Sequence, residues 1–184
     1  MSLLTNLVYL DLSDNCFGDI DVDFSGMTRV KTLKITGLNT RGHIQKQSIS
    51  ETLSDMISLE HVDFQFTPLH SLPAEIGNLL NLTHVDISSC SLTELPPSFT
   101  KLSNLATLLA EGNCFDDLPE HFGDLHSLRT LDLGYIELDS LPADFCKLTH
   151  LSYLILPHMY TKPLFFDEFV SALRLSGGTY EEHL

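Results

Sequence analysis

The sequence predicts an α/β solenoid: a curved stack of short coils with a parallel sheet on its concave side, and with turns, 3₁₀ segments and short helices on its convex side. Three observations predict it. An apolar pattern, LxxLxLxxNxL, starts at Leu7, Val30, Leu59, Leu82, Leu105, Leu128 and Leu151, in steps of 23, 29, 23, 23, 23 and 23 residues. Within each copy the first half alternates apolar and polar residues, as in "LTHVDI" from Leu82 to Ile87. The second half is anchored by leucine, proline, an aromatic residue or isoleucine, and leucine, as in Leu95, Pro96, Phe99 and Leu102.

Each element follows from these patterns. Alternation with period two gives a strand with one buried face. Neighbouring copies stack such strands in parallel at roughly 4.8 Å. Proline donates no ladder hydrogen bond, so the second arc is not a strand, and short turns or 3₁₀ segments are expected there. The strands pack closer together than the outer arcs, so the stack curves with its sheet inside. One unit cannot bury its own apolar face, whereas a stack can.

Position nine of the pattern calls for an asparagine whose amide satisfies backbone groups of the adjacent coil. Asn15 and Asn113 keep it, and Thr67 and Cys90 are expected to substitute. Leu38, Ile136 and Met159 cannot, so looser or hydrated turns are expected there. The 29-residue step places six extra residues between Thr40 and Ser48, in "TRGHIQKQS". The following "SISETLSDMISL" has helical spacing, with Ser48 or Ser50 as N-cap.

The two ends differ. At "KPLFFDEFVSALRLSGG", Asp167 to Leu175 reads as an amphipathic helix ended by Gly177 and Gly178, and residues 163–178 are expected to cap the last copy. At the other end Leu3, Leu4 and Val8 leave an apolar face open, which reads as a fragment of a longer chain or as a covered end. The chain is read as a single domain over residues 1–184, either a monomer or a fragment of a longer chain with an uncapped N-terminal face.

The period and pattern are those of leucine-rich repeats. The units "LPAEIGNLLNL", "LPPSFTKLSNL", "LPEHFGDLHSL" and "LPADFCKLTHL" resemble the 23-residue repeats of Ras-group leucine-rich repeat proteins, which include plant intracellular Ras-group proteins and the repeat regions of Erbin and Scribble. The resemblance is clearest from Leu59 to Pro157. It implies a cytoplasmic signalling scaffold that binds other proteins, in some relatives small GTPases or phosphatases. The matching residues are structural, so they name no partner.

Composition narrows the function. The net charge of −15 argues against nucleic acid and anionic membranes as partners. No apolar run approaches the roughly 18 residues of a membrane span. Residues 29–50 nevertheless carry Arg29, Lys31, Lys34, Arg41 and Lys46 and no acid. Cys16, Cys90, Cys114 and Cys146 form no CxxC pair and read as small buried hydrophobes in a reducing compartment. The sequon Asn81-Leu82-Thr83 points the other way, to an extracellular recognition domain. GxSxG, P-loop, HExxH and GxGxxG motifs are absent, and Cys146–His150 lacks an orienting third group, so no catalytic residue, cofactor or metal is assigned.

Function then has to lie where the copies differ, at positions three, five and eight of the exposed sheet face. Phe66, Tyr135 and Tyr153 are candidate hot-spot aromatics. His61 and His84 occupy one position in adjacent copies, each with a carboxylate, Asp63 or Asp86, two residues on. A pH-sensitive histidine pair is one reading, a zinc site a remoter one, and solvated surface histidines the plainest. Lys31, Lys34, Arg41 and Lys46 form a basic patch suited to an acidic or phosphorylated partner, or balancing charge internally, with Lys31 and Lys34 offsetting Asp11. The predicted site comprises Lys31, Lys34, Arg41, Lys46, His61, Phe66, His84, Asp86, Tyr135 and Tyr153, on a non-catalytic binding module. The alternative is a regulatory segment of a larger kinase, GTPase or receptor.

Overall fold

The computed structural model describes residues 4–15, 22–37, 47–159 and 161–183. Among them, eight parallel strands form one sheet: β1 (Tyr9–Asp11), β2 (Thr32–Lys34), β4 (His61–Asp63), β6 (His84–Asp86), β7 (Thr107–Leu109), β8 (Thr130–Asp132), β9 (Tyr153–Pro157) and β10 (Thr179–His183). The register is constant along the stack: Tyr9 pairs Thr32, Thr32 pairs His61, His61 pairs His84, and so on to Tyr153. The middle residue of each three-residue interior strand (Leu33, Val62, Val85, Leu108 and Leu131) is buried, and its neighbours face out. This is the alternation that the sequence shows.

The convex arcs are 3₁₀ turns at Glu51–Asp55, Ala74–Asn78, Pro97–Lys101, Phe122–Asp124 and Phe145–Lys147. Each drops one large side chain into the core: Leu53, Ile76, Phe99, Phe122 or Phe145. Phe122 and Phe145 stack with their ring centroids 6.1 Å apart. The expected helix in "SISETLSDMISL" is the first of these 3₁₀ turns. Ser50 is its N-cap, with Oγ accepting from Thr52 N at 3.3 Å. Ser48 lies in β3 (Gln47–Ser48), which pairs with β5 (Leu69–Ser71) as a separate two-stranded sheet. The rest of the insertion, including Thr40, Arg41 and Lys46, falls outside the described residues, as do Leu3, Cys16 and Leu38.

Position nine behaves as a set of side-chain links between coils. The Asn113 amide donates to Ile87 O at 2.8 Å and Ala110 O at 2.9 Å, and its Oδ1 accepts from Leu92 N at 3.0 Å. Cys90 Sγ donates to Phe64 O at 3.0 Å, and Thr67 Oγ1 donates to Ile35 O. Burial pushes the Cys90 thiol up to about 12, so it stays a donor at any neutral pH. Ile136 and Met159 are buried instead and fill their turns with apolar volume. Among the described residues, the Asn15 amide donates to carbonyls of its own turn, Leu12 O and Ser13 O.

One element was not expected: after the C-terminal helix α1 (Phe166–Leu175), β10 returns to the sheet and pairs with β9 over five residues. Its sequence, "TYEEH", lacks the leucine pattern, since this edge strand fully buries none of its side chains and carries charge. One expectation is corrected: Cys114 and Cys146 are exposed, and only Cys90 of the described cysteines is buried. Cys114 follows the turn outward, and Cys146 lies on the 3₁₀ arc beside the buried Phe145.

Candidate functional site

The sheet face is a ladder of three side-chain rows. In the position-five row the aspartates do structural work. Asp11, Asp63, Asp86 and Asp132 each accept, through Oδ1, the backbone N–H two residues on, at 2.9, 3.2, 2.9 and 2.9 Å. Such a bond sets the turn that leaves the strand. At Asp11 the bonds from Ser13 hold the carboxyl below its usual range. In Thr36, whose copy has Lys34 instead of aspartate, the N–H is satisfied by Ser13 Oγ of the preceding copy at 3.1 Å. Ile155, the last member of the row, is buried at the strand that β10 covers.

The lysines of the predicted basic patch are paired. Lys31 Nζ lies 2.6 Å from Glu60 Oε1, and Lys34 Nζ lies 3.4 Å from Asp63 Oδ2. Both partners belong to the following copy. Asp63 is the main cause of the raised Lys34 pKa, and Asp11 contributes least, so the expected offset of Asp11 goes mainly to Asp63.

In the position-three row His61 and His84 stack face to face, with centroids 4.5 Å apart and planes 15° apart. His84 Nδ1 is 2.8 Å from Thr83 Oγ1. Burial, and then the charge of His61, hold the His84 pKa below the ordinary histidine value. The pair is flanked by Thr32, Lys34, Asp63, Asp86, Thr107 and Leu109, which together enclose a shallow depression of about 300 Å³. Among the described residues no three histidine, cysteine or carboxylate groups converge as a metal site.

The position-eight row has a backbone signature invisible in the residue types. Asp14, Gly37, Phe66, Ser89, Gly112 and Tyr135 all have φ between 54° and 65°. Glycine adopts this left-handed region freely, whereas bulky side chains do so at a cost. Phe66 and Tyr135 are nonetheless 59% and 62% exposed, so neither folds back into the core. Tyr135 rests against His183 of β10 at 4.9 Å between rings. Tyr153, the third predicted aromatic, is half-buried, and its hydroxyl reaches Glu181 Oε1 at 3.5 Å.

Three features escaped the sequence reading. The first is a polar hub at the C-terminal edge. Glu182 accepts from Lys162 Nζ at 2.8 Å and from Tyr180 OH at 2.9 Å, and its Oε1 lies 2.8 Å from His158 Nδ1. Lys162 foremost lowers the Glu182 pKa to about 2. The second is an apolar groove of about 360 Å³ on the convex side, floored by Leu148, Leu151 and Leu173 and walled by Phe165, Phe169 and Cys146. The third concerns the sequon. Asn81 Nδ2 donates to Ile57 O at 2.8 Å, as Asn104 Nδ2 does to Leu80 O one copy later. Asn81 thus holds a structural position shared with an asparagine outside any sequon.

Comparison with known proteins agrees with this geometry. A leucine rich repeat family model matches residues 6–27 and 81–102. No curated protein matches the chain. Three solved structures align over 97% of the chain. Internalin C2 of Listeria monocytogenes does so at TM-score 0.75 and 20% identity, with 72% of its own chain covered. The ectodomain of the Arabidopsis thaliana membrane receptor kinase GASSHO1/SCHENGEN3, in complex with CASPARIAN STRIP INTEGRITY FACTOR 2, gives TM-score 0.77 at 21% identity, with 21% covered. A leucine-rich repeat protein of Leptospira interrogans gives 0.63 at 18%, with 55% covered. At these identities the likeness establishes the fold: a horseshoe of leucine-rich repeats. No described helix is long and apolar enough to cross a membrane.

Proposed function

We propose that this leucine-rich repeat horseshoe is a non-catalytic protein-binding module that holds its partner on the concave sheet face, with the 40–48 insertion as a second contact. The observation that carries this reading is the position-eight row. Two exposed aromatics stand there in a conformation that their size disfavours, on a sheet whose register fixes their spacing. The His61–His84 depression adds a recess on the same sheet face. Lys31 and Lys34 contribute less than their charge suggests, since each is already paired. Arg41 and Lys46 remain candidates on the insertion. The Ras-group resemblance makes a cytoplasmic signalling setting, and small GTPases or phosphatases, the first ones to try.

The second reading is a recognition segment of a larger signalling protein. It is favoured by the shape shared with a receptor-kinase ectodomain of which the chain spans 21%.

Site-specific photo-crosslinking tests the first reading. A photoreactive phenylalanine analogue at Thr107, on the sheet, is expected to capture a partner that the same probe at Lys101, on the convex arc, does not. Capture only from Lys101 would move the site to the outer face.

A further inference from the structure

The chemistry of the concave face differs from that of the basic stretch preceding it. In the position-five row four aspartates stand against one lysine, and that lysine is spent on Asp63. Asp86 and Asp132 use Oδ1 on their own turns, and among the described residues no cation pairs with either. At position eight, Phe66 and Tyr135 are separated by Ser89 and Gly112, one small residue per intervening copy. Three inter-strand steps of roughly 4.8 Å put the two rings roughly 14 Å apart. The row is therefore a trough with an aromatic post at each end and a low floor of Ser89 and Gly112. Its sheet-side flank carries the Asp86 and Asp132 carboxylates. The floor is close-packed already: a Cβ on Gly112 would sit 3.1 Å from Ser89 Oγ.

We propose that this trough binds an extended, basic segment of a protein partner, laid across the strands, with two cationic side chains about four residues apart seated on Phe66 and Tyr135. This assignment rests on the concave-face reading and gives that face its partner class. An extended chain advances roughly 3.3 Å per residue, so residues four apart span roughly 13 Å, close to the post spacing. Arginine or lysine over an aromatic face gains from the ring quadrupole, and unpaired carboxylates nearby strengthen the preference for a cation. His183 braces Tyr135 from the side, which reduces the ordering needed on binding.

The test uses the whole chain and three capped glycine–serine peptides of about a dozen residues. One carries two arginines four apart. The second carries the same two arginines side by side, so that total charge is constant. The third carries two glutamates four apart. Binding is followed by ¹H–¹⁵N NMR. The spaced-arginine peptide is expected to shift the amides of Phe66, Ser89, Gly112 and Tyr135 and to bind about tenfold tighter than its side-by-side isomer. Phe66→Ala with Tyr135→Ala is expected to erase that tenfold difference. Ser89→Lys, which fills the trough with like charge, is expected to abolish binding. Position eight already accepts large side chains, so this variant keeps the fold, as circular dichroism would verify. Equal affinity for the two arginine peptides, or no binding by either, overturns the proposal. Preference for the glutamate peptide at the same amides overturns the assigned charge and leaves concave-face binding standing. Shifts confined to the convex arcs overturn both.

Discussion

The coil at Asn113 and the coil at His158 solve one problem in different ways. Both must tie a turn to its neighbour. Asn113, 6% exposed, does so with a neutral amide bonded to backbone groups of two coils. At the last copy Met159 occupies the same position and has no polar group. There His158 N donates to His183 O, and the side chains of His158, Lys162 and Tyr180 converge on Glu182. The interior tie is buried and does not titrate, and the terminal one is half-exposed and ionic. The Asn113 tie should therefore be insensitive to pH, and the edge tie should not be.

The strongest way to break the contrast is Asn113→Ala. It leaves Leu92 N and Ile87 O without their partner in a dry interior, at about 1–3 kcal/mol per unmet group. A loss of about 3 kcal/mol is expected in urea denaturation, equal at pH 5 and pH 8. Cys90→Ala removes one thiol bond, to Phe64 O, and a small buried volume, so a loss of about 1–2 kcal/mol is expected by the same measurement. A larger loss at Cys90 than at Asn113 would show that thiol packing, not amide bonding, holds the coils.

Acid should sharpen the contrast. Glu182 is held far below its usual value, chiefly by Lys162. A carboxylate whose folded pKa is depressed stabilises the fold above its unfolded value, and that contribution disappears as pH falls through the folded one. The window runs from about 4.5 down to about 2. Hydrogen exchange is expected to show the amides of β10 losing protection in that window while those of β7 keep theirs. In Glu182→Gln, β10 is expected to be loosened already at pH 7 and to show no further transition across that window. Burial depresses His84 as well, so its share of stability is present above the ordinary histidine pKa and lost below it.

How legible these features were depends on whether a residue's role is written in its own type. The leucines at fixed spacing gave the strands, the parallel stacking and the 3₁₀ arcs, because apolar periodicity is the signal for burial. Thr67 and Cys90 could be foreseen as stand-ins for asparagine, since each carries a donor. The strand β10 could not be foreseen. Its role is set by backbone pairing with β9, and "TYEEH" has the polarity of any solvated tail. The site was half legible. Phe66 and Tyr135 were found as exposed aromatics, but their left-handed backbone appears only in the coordinates. The pairing of the lysines could not be read, because Glu60 and Asp63 lie 29 residues away in sequence and one strand away in space.

The smallest expected effect concerns one of those lysines. Lys31 and Glu60 lie 2.6 Å apart, which as a distance alone would suggest a strong tie. Yet their side chains are 54% and 38% exposed. At that exposure water and salt screen the pair, and holding two long side chains in register costs entropy, so such bridges contribute about 0–1 kcal/mol. Lys31→Ala is expected to change stability by less than about 0.5 kcal/mol in urea, with the difference shrinking further in high salt. The contrast with Asn113 is the point of the measurement. Both side chains link neighbouring coils at similar distances, but only the buried link leaves groups unsatisfied when it is cut. If Lys31→Ala cost as much as Asn113→Ala, exposure would not be what separates the two ties.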